Sequence, residues 1–316
     1  MTDGKEMQAM LKYTLKRIVI ALITLFILIS AVFVMVRLLP GDPFTDPKVP
    51  EATQEKMREY YGLDEPLYKQ YFTYMGNLLQ GDLGYSLRTQ GRTVNEIISS
   101  AFPYSIDLGI RALVFAVAAG LLLGIVAALN QNKFLDHFSM AIAVIGISIP
   151  SFIVGTVLQY FLSVKLGILP VARWDSFAST ILPTFALGLG SVATIARLMR
   201  TSMLEVTNED FIKTAKAKGL SKGEITLNHQ LRNSMLPVIT VMGPMVATLL
   251  TGTFVIENIF AIPGLGRHYV ISIQTLDYPL ILGMTIVYSV FLVLMQLVVD
   301  PVSYTHLRAH ETAANL

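Results

Sequence analysis

The sequence contains no cysteine among its 316 residues and only one tryptophan, Trp174. Without thiols the chain forms neither disulfides nor thiolate metal sites, and it has no cysteine nucleophile. Charged residues are also scarce, at 15% of the chain, whereas hydrophobic residues reach 53%. A typical soluble domain carries about 25% charged residues. This balance excludes an ordinary soluble protein and indicates a polytopic membrane protein.

The sequence also lacks the patterns that several function classes require. A net charge of +2, with the basic residues in separated clusters, gives no nucleic-acid surface. There is no G-x-x-x-x-G-K-[ST] pattern, so the chain is not expected to cradle ATP phosphates itself. H-E-x-x-H and G-x-S-x-G are absent as well. A membrane-embedded enzyme would therefore have to be built from His137, His229 and His268, which show no paired spacing.

Six uncharged apolar stretches are long enough to cross a bilayer, which takes roughly 20 residues each. They occupy 18–36, 112–129, 138–164, 176–196, 233–256 and 279–299. The sequence therefore predicts an all-α membrane protein with six transmembrane helices. The first stretch is too long for a signal peptide and no A-x-A-like site follows it, so we expect a retained helix.

Ion-coupled carriers need charge inside their spans, and here the charges lie at the span edges. We expect these edge residues to reach headgroups or water: they are Arg37, Asp107, Arg111, Arg197 and Glu257. An autonomous channel or secondary carrier is therefore disfavoured. Trp174, in a short outer loop, is interpreted as an interfacial anchor rather than a substrate contact.

Basic residues next to the spans predict the orientation, because they favour the cytoplasmic side. They are concentrated in the N-terminal segment 1–17 and in the segment about 201–235, so both termini are expected in the cytoplasm. The loop about 40–103 then lies outside; it is acidic on balance and contains a predicted short amphipathic helix. Residues 18–300 are expected to form the six-helix transmembrane domain. The tail 301–316 is atypical, and we expect neither a helix nor a function there.

The second span carries small residues at four-residue spacing, among them Gly120 and Gly124. Such a stripe lets another helix approach closely in lipid. Two roles are compatible with it: a sliding contact with a partner membrane subunit or a moving helix, and static packing within the bundle.

The cytoplasmic segment between the fourth and fifth spans contains residues that favour the start and the end of a helix. Asn208 is a predicted N-cap, and Gly219 is placed to take a left-handed conformation at the other end. Acidic residues at the start and lysines toward the end complement the helix dipole. Ser221 and Glu224 have the spacing of a capping box that starts the next helix. The segment 208–219 is therefore predicted to form a surface helix of about ten residues.

Two roles are compatible with this surface helix. It can be a rigid knob for a separate protein, with small contacts at Ala215 and Ala217 and apolar anchors at Phe211 and Ile212. It can equally be an amphipathic helix whose lysines meet lipid phosphates. The residue pattern alone leaves both open.

The segment Lys213-Thr214-Ala215-Lys216-Ala217-Lys218-Gly219 resembles the EAA loop of binding-protein-dependent ABC importer permeases, in the form of their dipeptide, oligopeptide and nickel branch. Lys213 and Thr214 stand where glutamate and alanine are usual, and Leu231-Arg232 where Leu-Pro is usual, departures that are typical of this branch. Three further segments resemble its B-type permease: Arg37 to Pro43, Tyr61 to Leu67 followed by Gly76 to Ser86, and Glu257 to Arg267. Together the four span about residues 10 to 300 in order.

The resemblance implies a non-catalytic permease subunit for dipeptides or oligopeptides, with nickel or another small solute as the alternative cargo. It implies a second homologous permease, two ABC ATPase subunits that bind ATP and Mg, an extracytoplasmic solute-binding protein, and a bacterial or archaeal cytoplasmic membrane. The loop then becomes a coupling helix seated in the ATPase. Its expected contact residues are Asp210, Phe211, Thr214, Ala215, Ala217, Lys218 and Gly219. The substrate-binding residues stay unassigned.

Overall fold

A computed structural model of the chain describes residues 2–38, 55, 58–89, 91–251 and 253–314. These residues form helices and turns, with one isolated antiparallel bridge between Tyr85 and Thr93. The predicted all-α membrane class is confirmed. In chain order the helices are α1 (Thr2–Leu38), α2 (Leu67–Leu79), α3 (Val94–Leu129), α4 (Phe134–Ser148), α5 (Ser151–Leu158), π1 (Gln159–Lys165), α6 (Phe177–Thr207), α7 (Asp210–Ala217), α8 (Lys222–Glu224), π2 (Ile225–Leu231), α9 (Arg232–Thr251), α10 (Phe254–Ile259), α11 (Leu265–Thr275) and α12 (Tyr278–Ala314).

Within the described residues, four helical stretches are long and apolar enough to cross a membrane. They are Thr14–Leu38, Val94–Leu129, Phe177–Thr207 and Tyr278–Leu297. The bent pair formed by α4 with α5 and π1 makes a fifth if it is counted as one span. The predicted stretch 233–256 falls on α9 and α10, and the count of six spans stays a prediction.

The predicted stretch 138–164 is not one continuous helix. α4 ends at Ser148, α5 begins at Ser151, and the two axes are bent by 105°. Pro150 causes the break, because it has no N–H to continue the helical ladder and its ring pushes the preceding residue out of the helical region. Ile149 accordingly has an extended backbone, with φ −101° and ψ 124°.

Two other predicted spans are shorter than the helices in the structure, because charged residues mark the ends of the predicted spans. α3 begins at Val94 rather than at 112 and passes through Asp107 and Arg111. These two side chains form an ion pair of 2.9 Å one turn apart, which lets polar residues continue the helix. α6 similarly runs on to Thr207 instead of ending near 196.

The expectation that the tail lacks a helix is wrong, because α12 continues to Ala314. Leucine, arginine, glutamate and alanine are frequent among residues 307–314, and all four favour helix.

The chain divides into two compact units. The first comprises residues 1–103 and 264–297, and the second comprises 104–263 and 298–316. The core of the first unit contains Val94, Ile97 and Met284, each at most 1% exposed. The core of the second unit is arranged around α6, whose Ile195 and Met199 are fully buried.

The small-residue stripe of α3 lies against α6 of the same chain. A β-carbon on Gly120 would lie 2.7 Å from the Cβ of Ile195, and one on Gly124 would lie 2.6 Å from the carbonyl oxygen of Ala196. Only glycine permits this approach at either position. The stripe therefore makes a contact within the second unit, which was one of the two roles that the sequence left open.

Candidate coupling site and membrane cavity

The loop between α6 and α9 contains the predicted short helix, α7, but its N-cap is Glu209 rather than Asn208. Asn208 still belongs to the end of α6, with φ −91° and ψ −6°, and its side-chain amide donates to the carbonyl oxygen of Leu204 at 3.2 Å. An N-cap needs an extended backbone, which Glu209 has, with φ −68° and ψ 150°. The chain therefore turns one residue later than predicted.

The predicted left-handed residue at the other end of α7 is confirmed. Gly219 has φ +79°, its N–H donates to the carbonyl oxygen of Lys216 at 3.0 Å, and the N–H of Leu220 donates to that of Ala215 at 3.3 Å. This pair of bonds is a Schellman motif, which stops the helix sharply. A β-carbon on Gly219 would meet nothing within 4 Å. Backbone conformation, rather than lack of space, therefore favours glycine here.

α7 has a buried face and an exposed face. Ile212 is fully buried and Ala215 is 5% exposed, and both pack against Ile225 with Val206 beside them. The expectation that Ile212 and Ala215 offer contacts to another protein is therefore wrong, because helical periodicity turns these two positions toward the chain itself. The exposed face carries the remaining expected contact residues: Asp210, Phe211, Thr214, Ala217, Lys218 and Gly219.

The segment after α7 ties the loop back to α6. Gln230 on π2 donates from its side-chain amide to the hydroxyl of Thr207 at 2.9 Å and accepts from Thr226 at 2.9 Å. The predicted capping box is also confirmed: Glu224 accepts hydrogen bonds from the hydroxyl and the N–H of Ser221, at 2.7 and 2.9 Å. Hydrogen bonding to Ser221 lowers the pKa of Glu224 from its usual value. π2, which follows α7, is therefore hydrogen bonded to the end of α6.

A buried ion pair joins α4 to α6 within the second unit. Asp136, in the first turn of α4, is 1% exposed and accepts two hydrogen bonds from the guanidinium of Arg200, at 2.5 and 2.7 Å. It also accepts the N–H of Asn132 at 2.9 Å. No local sequence pattern predicts this pair, since the partners lie 64 positions apart.

A cavity of about 580 Å³ lies in the second unit where α4 breaks into α5. α6 and α9 form its other walls, and most of the lining is apolar. Four hydroxyl side chains reach the lining, those of Ser151, Ser191, Thr194 and Thr248. Because Pro150 has no N–H, the carbonyl of Gly146 at the cavity wall lacks its usual helical donor. Irregular backbone at membrane depth is tolerated where it lines such a cavity.

Glu257 and Trp174, both expected at the membrane edge, form hydrogen bonds with other side chains of the chain. Glu257 is fully buried, and its carboxylate accepts the hydroxyl of Ser105 at 2.7 Å, so the expectation that it reaches headgroups or water is wrong. Trp174 donates its indole N–H to Asp107 at 3.0 Å, and the guanidinium of Arg111 lies 5.9 Å from the centre of its ring. Trp174 thus anchors the loop between π1 and α6 to α3.

The fold combines the loop helix α7 with a cavity at a broken helix, and the family match identifies the chain as the membrane subunit of a transport system. Residues 120–307 match the family described as binding-protein-dependent transport system inner membrane component, and residues 10–109 match the N-terminal region described for such components. The chain belongs to this family and is a multi-pass inner-membrane protein.

Curated relatives cover nearly the whole chain. The dipeptide transport system permease protein DppB of Bacillus subtilis is 46% identical over 92% of this chain and 95% of its own length. The oligopeptide transport system permease protein OppB of Haemophilus influenzae is 45% identical over 92% and 96%. The glutathione transport system permease protein GsiC of Escherichia coli K12 is 42% identical over 92% and 96%.

Solved structures of more distant transporters share the fold. An inward-facing structure of the MetNI methionine ABC transporter has a TM-score of 0.55 at 17% identity, covering 66% of this chain and 96% of the matched chain. An amino acid ABC transporter has a TM-score of 0.53 at 14% identity, covering 67% and 94%. At these identities the likeness shows the fold alone.

Proposed function

We propose that this chain is the transmembrane subunit of an ATP-driven importer of peptides and forms half of the translocation pathway. The observation that carries the proposal is the set of relatives at 41–46% identity over nearly the full chain that are named for dipeptide or oligopeptide transport. Glutathione, in the name of another relative, is also a peptide.

The energy for transport comes from a separate protein in this proposal. The sequence contains no G-x-x-x-x-G-K-[ST] pattern, so ATP and Mg are bound by two ABC ATPase subunits and this chain catalyses no reaction itself. A second homologous permease completes the pathway, and an extracytoplasmic binding protein delivers the cargo. Both termini face the cytoplasm, which puts α7 on the side of the ATPases.

The exposed face of α7 is the coupling surface in this proposal. Phe211 is 41% exposed, and Asp210 and Lys213 form a solvent-facing ion pair of 2.7 Å beside it. Ile212 and Ala215 fix the opposite face to π2, so a push on α7 moves a rigid body. The Thr207–Gln230 hydrogen bond and the Asp136–Arg200 pair then carry the displacement into α6 and α4.

The cavity at the break between α4 and α5 is the passage in this proposal. Its hydroxyl groups and the carbonyl of Gly146, which lacks its usual helical donor, can form hydrogen bonds with a peptide backbone without selecting its side chains. α4 and α6, which receive the displacement from α7, are also two of its walls. Binding and hydrolysis of ATP by the ATPases would thereby switch the passage between two states.

The test uses three glycine variants in the assembled transporter reconstituted with its binding protein. Gly219→Val forces a β-branched residue into a left-handed conformation that costs about 1–2 kcal/mol, so we expect peptide uptake and stimulated ATP hydrolysis to fall together. Gly219→Asn should retain most of both, because asparagine adopts this conformation. Gly223→Ala is the control, since a β-carbon there meets nothing within 4 Å. Wild-type uptake by Gly219→Val would contradict the coupling role.

A further inference from the structure

Helix α2, in the loop that follows α1, has one face packed on α1. The hydroxyl groups of Tyr71 and Ser30 are hydrogen bonded at 2.6 Å. The rings of Tyr71 and Tyr74 lie against Phe33, with centroid distances of 5.4 and 5.5 Å. All these residues belong to the first unit. The contact fixes the position of α2 along α1.

The opposite face of α2 is apolar and uncovered. Tyr68, Phe72 and Leu79 are 62%, 68% and 85% exposed. Their spacing of four and seven residues places them in one stripe along the helix. Lys69 and Thr73, which are also exposed, lie on the adjoining flank. The exposed surface of α2 is therefore divided lengthwise into an apolar stripe and a polar flank.

The contact with α1 sets the depth of this stripe. Ser30 and Phe33 lie inside the apolar stretch Thr14–Leu38, whose 25 residues are long enough to cross a membrane. At about 1.5 Å per residue, Ser30 is ~12 Å from Leu38 along the helix axis. The same part of α1 exposes Val34 and Met35, at 51% and 60%. α2 thus contacts α1 within the apolar stretch, beside a portion of α1 whose apolar side chains are exposed.

We propose that α2 is an interfacial helix whose stripe of Tyr68, Phe72 and Leu79 is immersed in the acyl chains of the leaflet where α1 ends. A lipid surface suits this helix because tyrosine and phenylalanine prefer the boundary between headgroups and acyl chains, and no charge interrupts the stripe. Lys69, paired with Glu65 at 2.9 Å, lies on the flank that faces headgroups and water. The leaflet is the outer one if the proposed orientation holds; the cargo plays no part in the inference.

The absence of native cysteine allows a direct test with single spin labels. The variants Phe72→Cys, Leu79→Cys and, as the neighbouring control, Thr73→Cys are labelled in the assembled transporter in lipid vesicles. Collision rates with oxygen and with a water-soluble nickel complex are then measured. We expect labels at 72 and 79 to collide with the nickel complex several-fold less often than the label at 73, and more often with oxygen.

Two results would overturn the proposal. Equal access of the nickel complex to all three labels would place the stripe in water. Protection of positions 72 and 79 only after the binding protein is added would assign the stripe to a protein partner instead of lipid. Uptake by each labelled variant is recorded separately, so that failure of the lipid contact is distinguished from failure of transport.

Discussion

At the scale of single residues, two kinds of glycine can be told apart. Gly219 is required for its backbone conformation, with φ +79° and open space around a β-carbon. Gly124 is required for space, since a β-carbon there would lie 2.7 Å from the Cβ of Met199 and 2.6 Å from the carbonyl oxygen of Ala196. The substitutions that each position tolerates therefore differ.

We expect Gly124→Ala to destabilise the protein by about 1–3 kcal/mol, the usual cost of overpacking a close contact. Thermal unfolding in detergent micelles measures the effect. Gly76→Ala in α2 is the matched control: a β-carbon there meets nothing within 4 Å, and alanine favours helix more than glycine does. Equal melting temperatures for Gly124→Ala and wild type would contradict the close packing of α3 on α6.

Protonation of His268 in α11 is expected to make the stability of the protein depend on pH. Burial, together with the positive charges of Arg267 and Arg92, lowers the pKa of His268 below its ordinary value. The unfolded chain therefore takes up a proton first, and stability is lost as the pH falls through about 6.5, the usual histidine value.

We expect His268→Gln to lose less thermal stability than wild type between pH 7.5 and pH 5.5. At pH 8 histidine is neutral in both the folded and the unfolded chain, so the melting temperature there serves as the reference for each protein. Parallel losses on acidification in the two proteins would show that His268 is not responsible.

At the scale of elements, the ion pair between α4 and α6 should contribute more than an exposed pair. Arg200→Met leaves the carboxylate of Asp136, 2% exposed, without its cation, and we expect a loss of about 3 kcal/mol in the free energy of unfolding. Lys69→Met breaks the Glu65–Lys69 pair, whose side chains are 51% and 54% exposed, and should cost less than about 1 kcal/mol.

The double variant Asp136→Asn with Arg200→Met allows the interaction energy between the two side chains to be measured. It should lose less stability than the sum of the two single variants, because neither charge is then left buried alone. Chemical or thermal unfolding of the four proteins gives the coupling energy. Additive losses would mean that the two side chains do not act as a pair.

The elements differ in how well the sequence predicted them. The end of α7 and the start of α8 followed from local rules, since Gly219, Ser221 and Glu224 determine their own backbone and hydrogen bonds within a few positions. The break at Pro150 was not predicted. The length and apolarity of the stretch 138–164 indicate a single span, but proline forces the preceding residue out of the helical conformation. The prediction that Asn208 is an N-cap is wrong, because an asparagine side chain can form hydrogen bonds with the backbone at either end of a helix.

The site depends on contacts that local patterns do not contain. The inward orientation of Ala215 required knowledge that π2 passes beneath α7, and the Asp136–Arg200 pair joins residues 64 positions apart. The cavity likewise combines α4, α5, α6 and α9. Its lining was beyond prediction because spacing in sequence does not determine which helices meet.

At the scale of the whole molecule, the proposed coupling path lies within the second unit. The exposed face of α7 lies at one end of this path, and the cavity beside the broken helix lies at the other. α6 connects them, because it ends next to α7 and forms one wall of the cavity. The proposed function requires such a path, since in it another protein does the work of transport.

The most direct measurement is peptide accumulation in vesicles that contain this chain, its partner permease and the ATPase subunits, with the binding protein on the opposite side. We predict accumulation of a labelled dipeptide against its gradient only when ATP and Mg are on the side of α7. Vesicles whose ATPase cannot hydrolyse ATP are the control and should show none. Accumulation driven by an ion gradient without the ATPase, or by the single chain alone, would contradict the account.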